Sequence, residues 1–113
     1  MQFFARLITT TLAVLIVSYI LPGIKVENVI TAILFSVVLA LLNTVLKPVI
    51  VLFTLPLTVI TLGLFLVIIN GLMILLAAEI VPGFHVDGFW WAVLFSIILS
   101  LVVSLLNSLG KSQ

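Results

Sequence analysis

The eight residues ILPGIKVE at positions 20–27 are matched by IVPGFHVD at positions 80–87, an offset of 60. Each copy follows a long apolar run, contains a Pro-Gly pair that breaks a helix, and precedes another apolar run. From residue 20 to residue 46, 11 of 27 positions are identical to the residue 60 positions later. The sequence therefore repeats a unit of two apolar runs joined by a short polar loop.

The apolar runs are long enough to cross a bilayer as helices. They cover about residues 3–21, 29–46, 63–81 and 89–106. About 18 residues at 1.5 Å per residue give about 27 Å, close to the hydrocarbon thickness of about 30 Å. The runs lack the alternation of barrel strands, and only helices or closed barrels satisfy their backbone in lipid. We predict an all-α integral membrane protein with four transmembrane helices.

The repeat predicts how these helices are arranged. Each repeat holds two spans, so both repeats enter the membrane from the same side. We expect two tandem helical hairpins in a parallel repeat, related by a pseudo-twofold axis along the membrane normal. The chain is then a single membrane domain over residues 1–113, with repeat one at about 3–47, a connecting segment at 48–62 and repeat two at 63–107.

The composition supports the membrane assignment and excludes several functions. Of the 113 residues, 65% are hydrophobic and only 6% are charged, against about 25% charged residues in a soluble domain. The absence of cysteine excludes disulfides and thiolate chemistry. A net charge of +1 without a basic cluster argues against a nucleic-acid partner. We interpret the first run as a retained span, because it is longer than a signal-peptide core and no small-residue cleavage site follows it.

The region before the third span departs from this regular pattern. Residues 49–81 carry no charge until Glu79, and one straight helix of that length would measure about 50 Å. Pro56 and Gly63 interrupt it. We predict a short broken element over residues 49–62, either re-entrant or interfacial, followed by a full span. The alternative is one long tilted helix kinked at Pro56. Threonine hydroxyls would then satisfy the backbone carbonyls that the proline leaves without a partner.

The basic residues predict the orientation. With four spans, Arg6, Lys47 and Lys111 lie on one side of the membrane and Lys25 lies on the other. Lys25 shares its side with the three acidic residues, which are Glu27, Glu79 and Asp87. Basic residues concentrate on the cytoplasmic side. We therefore expect a multi-pass protein of the bacterial inner (plasma) membrane with both termini in the cytoplasm.

Small residues recur every four positions along the second and fourth spans. The two stripes are Ala32, Ser36, Ala40 and Thr44, and Ala92, Ser96, Ser100 and Ser104. A four-residue step keeps such residues on one helical face, where they allow helices to approach closely in lipid. We interpret the stripes as helix-packing seams. The alternative is a hydroxyl-lined path for water or ions.

Polar residues within spans are candidates for function, because they are costly in lipid. Asn43, Asn70 and Glu79 are the candidates here. The simplest interpretation of each asparagine is an interhelical hydrogen bond, and that of Glu79 is a paired or hydrated carboxylate near the interface. Proton or cation binding by Glu79 is the alternative.

The outer loops carry four charged or titratable residues at equivalent repeat positions. They are Lys25 and Glu27 in the first loop and His85 and Asp87 in the second. The pseudo-twofold axis predicts that Lys25 meets Asp87 and that His85 meets Glu27. One histidine does not make a metal site, and no nucleophile with a base or glycine-rich phosphate loop is present. We expect no catalytic residues, metal or cofactor, and no enzyme activity.

Five segments resemble a known family. They are residues 21–27 (LPGIKVE), 43–48 (NTVLKP), 54–65 (TLPLTVITLGLF), 70–73 (NGLM) and 81–89 (VPGFHVDGF). Together these segments resemble the YvlD-like bacterial membrane proteins, which form the four-span phage holin family, superfamily IV. The resemblance covers nearly the whole chain. It implies a small protein that associates with itself in the inner membrane and permeabilises it, with membrane lipid and further copies of the chain as its partners.

Two other functions fit the residues. One is a structural or regulatory envelope protein that binds lipid or a protein partner, which the lack of a charged pore lining favours. The other is a small channel or transporter that uses the serine stripe with Asn43, Asn70 and Glu79.

Overall fold

The computed structural model describes residues 2–111, which form five helices and two short strands. The elements are α1 (Gln2–Ile20), β1 (Ile24–Val26), α2 (Val29–Phe53), α3 (Leu55–Ile60), α4 (Leu64–Ile80), β2 (Phe84–Val86) and α5 (Phe89–Lys111). Within this part of the chain, α1, α2 and α5 are long and apolar enough to cross a membrane. The apolar helix α4 is shorter, with 17 residues, or about 26 Å. The helical, membrane-type architecture is therefore confirmed.

The Pro-Gly pairs end α1 and α4 close to the predicted positions. α1 stops at Ile20 and α4 at Ile80, two residues before Pro22 and Pro82 respectively. Gly83 has φ +89°, a conformation that side chains with a Cβ rarely adopt. After the first loop, the Asn28 side chain accepts the Thr31 N–H at 2.9 Å and so caps α2.

α2 is longer than its apolar run predicted. We predicted an end at Lys47-Pro48, but the helix continues through Pro48 to Phe53. That boundary was wrong, because an internal proline removes one backbone hydrogen bond and bends a helix without always ending it. α5 likewise continues beyond the predicted residue 106 to Lys111.

The chain is broken between α2 and α4, as predicted. The short helix α3 begins at Leu55 with Pro56 in its first turn, where a missing N–H costs least. A turn follows at Leu62 (φ 56°) and Gly63 (φ 88°), and α4 begins at Leu64. The turn at Leu62 and Gly63 excludes our alternative, which was a single long helix kinked at Pro56.

Threonine hydroxyls in this broken segment are satisfied by the helix backbone. Thr54, Thr58 and Thr61 each donate to the carbonyl four residues earlier, at 2.8, 3.1 and 3.0 Å. The Thr61 oxygen also accepts the Phe65 N–H at 3.1 Å, which links the turn to the start of α4. These bonds leave the segment compatible with lipid, where unpaired polar groups are costly.

The two loops join through a small antiparallel sheet. β1 pairs with β2 in the register Ile24 with Val86, Lys25 with His85 and Val26 with Phe84. At the loop end, corresponding elements of the two halves have bounds 60 positions apart. The equivalent bounds are Ile20 and Ile80, Ile24 and Phe84, Val26 and Val86, and Val29 and Phe89.

The backbone bonds beside this sheet come as an equivalent pair. The Glu27 N–H donates to the Gly83 carbonyl at 3.0 Å, and the Asp87 N–H donates to the Gly23 carbonyl at 2.9 Å. Donors and acceptors are exchanged between positions 60 apart, so each loop holds the other in the same way.

The core lies beneath these loops and contains phenylalanine and small residues. Phe35 and Phe84 stack with ring centroids 3.7 Å apart, and Phe95 meets both rings edge-on. The completely buried alanines around them are Ala13, Ala32, Ala77 and Ala92. Towards the other end of the bundle the helices are less buried, since none of the side chains described in α2 after Leu39 or in α5 after Leu99 is buried. Two grooves lie in this less buried part, one on each side of α2.

Candidate functional site

One groove brings together polar residues that lie far apart in the sequence. Asn43 and Lys47 of α2, Asn70 of α4, and Ser96 and Ser100 of α5 line a cleft of about 120 Å³. We call these five residues the polar cleft. Two of the predicted intramembrane candidates, Asn43 and Asn70, are therefore neighbours in space. The third, Glu79, does not line the cleft and is exposed near the end of α4.

Helix periodicity positions the side chains of the polar cleft. Asn43 and Lys47 are four residues apart on one face of α2, and Ser96 and Ser100 are four apart on one face of α5. Asn70 is half-buried near the middle of α4. It lies ten residues before the helix end at Ile80, which corresponds to about 15 Å.

The small-residue stripes pack at one end only. At the loop end Ala32, Ser36, Ala92 and Ser96 are buried. The Ser36 hydroxyl donates to the Ala32 carbonyl at 2.9 Å, and the Ser96 hydroxyl donates to the Val93 carbonyl at 2.7 Å. At the other end Ala40 is half-buried and Thr44, Ser100 and Ser104 are exposed. Each stripe therefore packs against neighbouring helices at the loop end and is exposed at the opposite end.

The second groove lies between α1 and α2 and has a volume of about 450 Å³. Ser36 and Leu39 form its buried floor, while Arg6, Asn43 and Thr44 lie at the end farther from the loops. We call this cavity the α1–α2 groove. Sequence reasoning used Arg6 only for orientation and missed its place in this groove.

The repeat offered a signal for the α1–α2 groove. Thr10, Ser36 and Ala40 line it, and the residues 60 positions later, Asn70, Ser96 and Ser100, line the polar cleft. The two cavities therefore form at equivalent faces of the two hairpins. Their chemistry differs at two positions. The amide of Asn70 replaces the hydroxyl of Thr10, and the hydroxyl of Ser100 replaces the methyl of Ala40.

The loop residues meet through the sheet, but their side chains pair differently from our prediction. His85 Nε2 lies 2.9 Å from Asp87 Oδ1, so the side-chain contact is within one loop. The predicted pairs, Lys25 with Asp87 and His85 with Glu27, are not formed among residues 2–111. In the register of the sheet Lys25 lies opposite His85, whereas Asp87 follows the end of β2 directly, two residues after His85 in the same loop. Both partners are substantially exposed, so the pair adds about 0–1 kcal/mol of stability.

The chemistry of the polar cleft is that of hydrogen bonding. It offers amides, hydroxyls and one ammonium group, and no carboxylate lines it. Residues 2–111 contain no group of three or more His, Cys, Asp or Glu side chains placed to hold a metal ion. Such a lining suits water, an anion or a polar contact with another helix.

Comparison with known proteins agrees with this architecture. A model of the family described as mycobacterial 4 TMS phage holin, superfamily IV, matches residues 1–105. The chain belongs to this family. It is 40% identical over 96 residues to the uncharacterized membrane protein YvlD of Bacillus subtilis, covering 84% of this chain and 80% of the relative. It is 43% identical over 86 residues to the uncharacterized protein SCO3922 of Streptomyces coelicolor, covering 73% and 69%. No solved structure matches the chain.

Membership of the holin family confirms the resemblance carried by the five sequence segments. It also agrees with the apolar helices in placing the protein in a membrane.

Proposed function

We propose that this protein is a four-span protein of the bacterial plasma membrane that assembles with copies of itself and permeabilises the bilayer. In this proposal α1, α2, α4 and α5 are the spans, and α3 lies at the cytoplasmic interface. Both termini face the cytoplasm together with Arg6 and Lys47. The loops that carry Glu27 and Asp87 face outward.

The agreement between the two halves supports the parallel repeat in this topology. The helix and strand bounds that flank the two loops lie 60 positions apart, and the loops exchange equivalent backbone bonds. A hairpin of α1 with α2 and a hairpin of α4 with α5 would then cross the membrane in the same direction. Although α4 has only 17 residues, its length of about 26 Å suffices for a locally thinned or well-anchored bilayer.

The observation that carries the assembly proposal is the open side of the polar cleft. Asn43, Ser100 and Ser104 are exposed. If the spans are placed as proposed, these groups lie at the depth of the acyl chains. Polar groups facing lipid are costly, and helices in membranes associate through small and hydrogen-bonding residues. A second copy that covers this face would convert an unfavourable surface into a packed interface.

Permeabilisation would follow from how the copies assemble. If several copies turn their polar clefts towards a common centre, Asn43, Asn70 and Ser100 would line it and hold water. The outer faces remain apolar, as lipid contact requires, with side chains such as Ile8 (62% exposed) and Leu101 (60%) turned outward. The family description as a phage holin agrees with this function.

The experiment is controlled expression in a bacterial host with simultaneous readout of membrane potential and dye entry. The full-length chain is compared with Ser100→Leu, which fills the cleft, and with Ser108→Leu as a matched control in the same helix outside the cleft. We expect abrupt depolarisation with the natural chain and the control, and its loss in Ser100→Leu. Intact membranes at high levels of correctly inserted natural protein would overturn permeabilisation.

Assembly is tested separately by cross-linking at the exposed stripe. The chain has no cysteine, so Ser104→Cys provides a single thiol on the open face, and Ile8→Cys provides one on an apolar outer face. Disulfide-linked dimers through Ser104→Cys but not Ile8→Cys would support the proposed interface. Equal cross-linking at both positions would argue against it.

An envelope protein that binds lipid is the second candidate function. The observation that favours it is the α1–α2 groove with Arg6 in its lining.

A further inference from the structure

We infer that the α1–α2 groove binds one phospholipid with an anionic headgroup, with an acyl chain in the groove and the phosphate at Arg6. This inference requires neither assembly nor permeabilisation.

The size and shape of the groove suit a lipid chain. Its volume of about 450 Å³ lies within the range of about 300–1,000 Å³ typical of small-molecule sites. Its floor is Ser36 and Leu39, and Leu7 and Leu41 add apolar walls. From Thr44 to Ser36 it follows α2 for eight residues, or about 12 Å.

The charge of the groove selects the headgroup. Arg6 lines it and has no hydrogen bond or ion pair with any other residue in the described range 2–111. No aspartate or glutamate lines the groove. A guanidinium forms bidentate bonds with a phosphate, so an anionic headgroup would satisfy donors that no residue in the range 2–111 engages.

Two neighbours of Arg6 complete the headgroup end. The Asn43 side chain also has no hydrogen-bond partner among residues 2–111 and offers two N–H donors at the same end of the groove. The Thr44 hydroxyl donates to the Ala40 carbonyl at 2.8 Å, so its oxygen remains available as an acceptor. Arg6 and Asn43 would donate to the phosphate, and the Thr44 oxygen would accept from a headgroup hydroxyl. This combination fits phosphatidylglycerol.

The alternative occupant is a second copy of this chain. A helix packed into the groove would have to neutralise or avoid Arg6. The acidic residues are Glu27, Glu79 and Asp87, and all three lie at the loop end of the structure, away from Arg6. Because a parallel copy in the same membrane would bring none of these three carboxylates to Arg6, the charge of the groove favours lipid over protein.

The test is native mass spectrometry of the full-length protein in detergent with equal amounts of phosphatidylglycerol and phosphatidylcholine of identical acyl chains. We expect one phosphatidylglycerol retained per chain in preference to phosphatidylcholine. Arg6→Gln should reduce that preference about tenfold, the effect of losing charged hydrogen bonds, and Arg6→Lys should retain part of it. Lys25→Gln removes a cation at the opposite end and should leave the preference unchanged.

A second pair of variants tests the acyl-chain part of the site. Ala40→Leu fills the groove without changing its charge, and Ala5→Leu makes the same change at an exposed position outside the lining. Ala40→Leu should lower retention of both lipids, whereas Ala5→Leu should not. Added inorganic phosphate should not displace the lipid, because it supplies only the headgroup contact.

Several results would overturn the inference. They are equal retention of the two lipids by the natural chain, an Arg6→Gln variant that behaves like Lys25→Gln, or displacement of the lipid by phosphate alone. Dimers that dissociate in Ala40→Leu with no change in bound lipid would assign the groove to a second copy. Unchanged elution of each variant in detergent size-exclusion chromatography separates loss of the site from loss of the fold.

Discussion

The Thr11 and Ser36 hydroxyl oxygens lie 3.2 Å apart across the interface between α1 and α2. Each hydroxyl also has an acceptor in its own helix, the Leu7 carbonyl at 2.7 Å for Thr11 and the Ala32 carbonyl at 2.9 Å for Ser36. Thr11 is the donor between the helices and has one hydroxyl proton, so this bond competes with its bond to the Leu7 carbonyl, whereas Ser36 can accept it while donating to Ala32. The first hairpin is thus closed by a shared polar contact in a buried position.

This competition limits how much the contact stabilises the hairpin. We expect a double-mutant cycle of Thr11→Val and Ser36→Ala to give a coupling of about 0.6 kcal/mol, the average for such bonds in membranes, and no more than about 1.7. Equilibrium unfolding by denaturing detergent in mixed micelles measures it. A coupling of zero would mean that both protons remain on the carbonyls of their own helices.

The second hairpin is closed by close backbone approach instead. Gly71 occupies the position 60 residues after Thr11, and a Cβ placed on it would lie 2.6 Å from Val93 Cγ2 and 3.2 Å from Val93 Cα. Gly71→Ala should therefore separate α4 from α5 and lower the free energy of unfolding by about 1–3 kcal/mol. The same unfolding experiment measures this loss.

Two further variants separate steric overlap from a change in helix propensity. Gly110→Ala is the matched control, because nothing lies within 4 Å of a Cβ at that helical position, and alanine is the better helix former. Adding Val93→Ala to Gly71→Ala should restore most of the lost stability, since it removes the nearest atom. If Gly71→Ala is as stable as the natural chain, the two helices are not in the close contact described.

The strand register makes a prediction that the absence of cysteine renders easy to test. Lys25 and His85 are direct partners in the antiparallel pair, and such partners have Cα atoms about 4.5–5.5 Å apart, within disulfide range. Lys25→Cys with His85→Cys should form an intrachain disulfide under mild oxidation, counted as the loss of two reactive thiols.

A shifted pair provides the control for this register. Glu27→Cys with His85→Cys moves one thiol two residues along the chain, which increases the distance between the two thiols. This pair should therefore form a disulfide more slowly than the pair at positions 25 and 85. Faster oxidation of this control pair would indicate a register different from the one described.

Much of the fold follows from local sequence signals. The Pro-Gly pairs at residues 22–23 and 82–83 mark the ends of α1 and α4 within about two residues, because the proline and the positive φ at Gly83 act locally. The bounds of the two halves follow the repeat for the same reason. By contrast, Lys47-Pro48 did not end α2, since whether a proline stops a helix depends on what the following residues gain by remaining helical.

The sites depend on interactions that a pattern of residues does not contain. Asn43 and Asn70 were each candidates, but that they line one cleft follows from the packing of α2 and α5 against α4. Arg6 was predicted only as a topology signal, and its place in the α1–α2 groove follows from how α1 packs on α2. The partner of His85 was predicted from symmetry, whereas the contact that forms is with Asp87, just after β2 in the same loop.

Sidedness is the remaining prediction, and it bears on both proposals. If both termini are cytoplasmic, a thiol at Lys25→Cys faces outward, whereas thiols at Ser108→Cys and Thr61→Cys face inward. A maleimide attached to a large polymer, which cannot enter through small lesions, should label only Lys25→Cys in intact cells expressing low levels of protein. After the cells are broken, all three positions should react.

The charge distribution gives the physical reason for this expectation. Arg6 and Lys47 lie at the end of the bundle opposite the loops, and basic residues near span ends are retained in the cytoplasm. The natural chain, which lacks cysteine, measures background labelling. Labelling of Ser108→Cys but not Lys25→Cys in intact cells would invert the topology. The α1–α2 groove would then draw its lipid from the outer leaflet, because Arg6 would lie on that side.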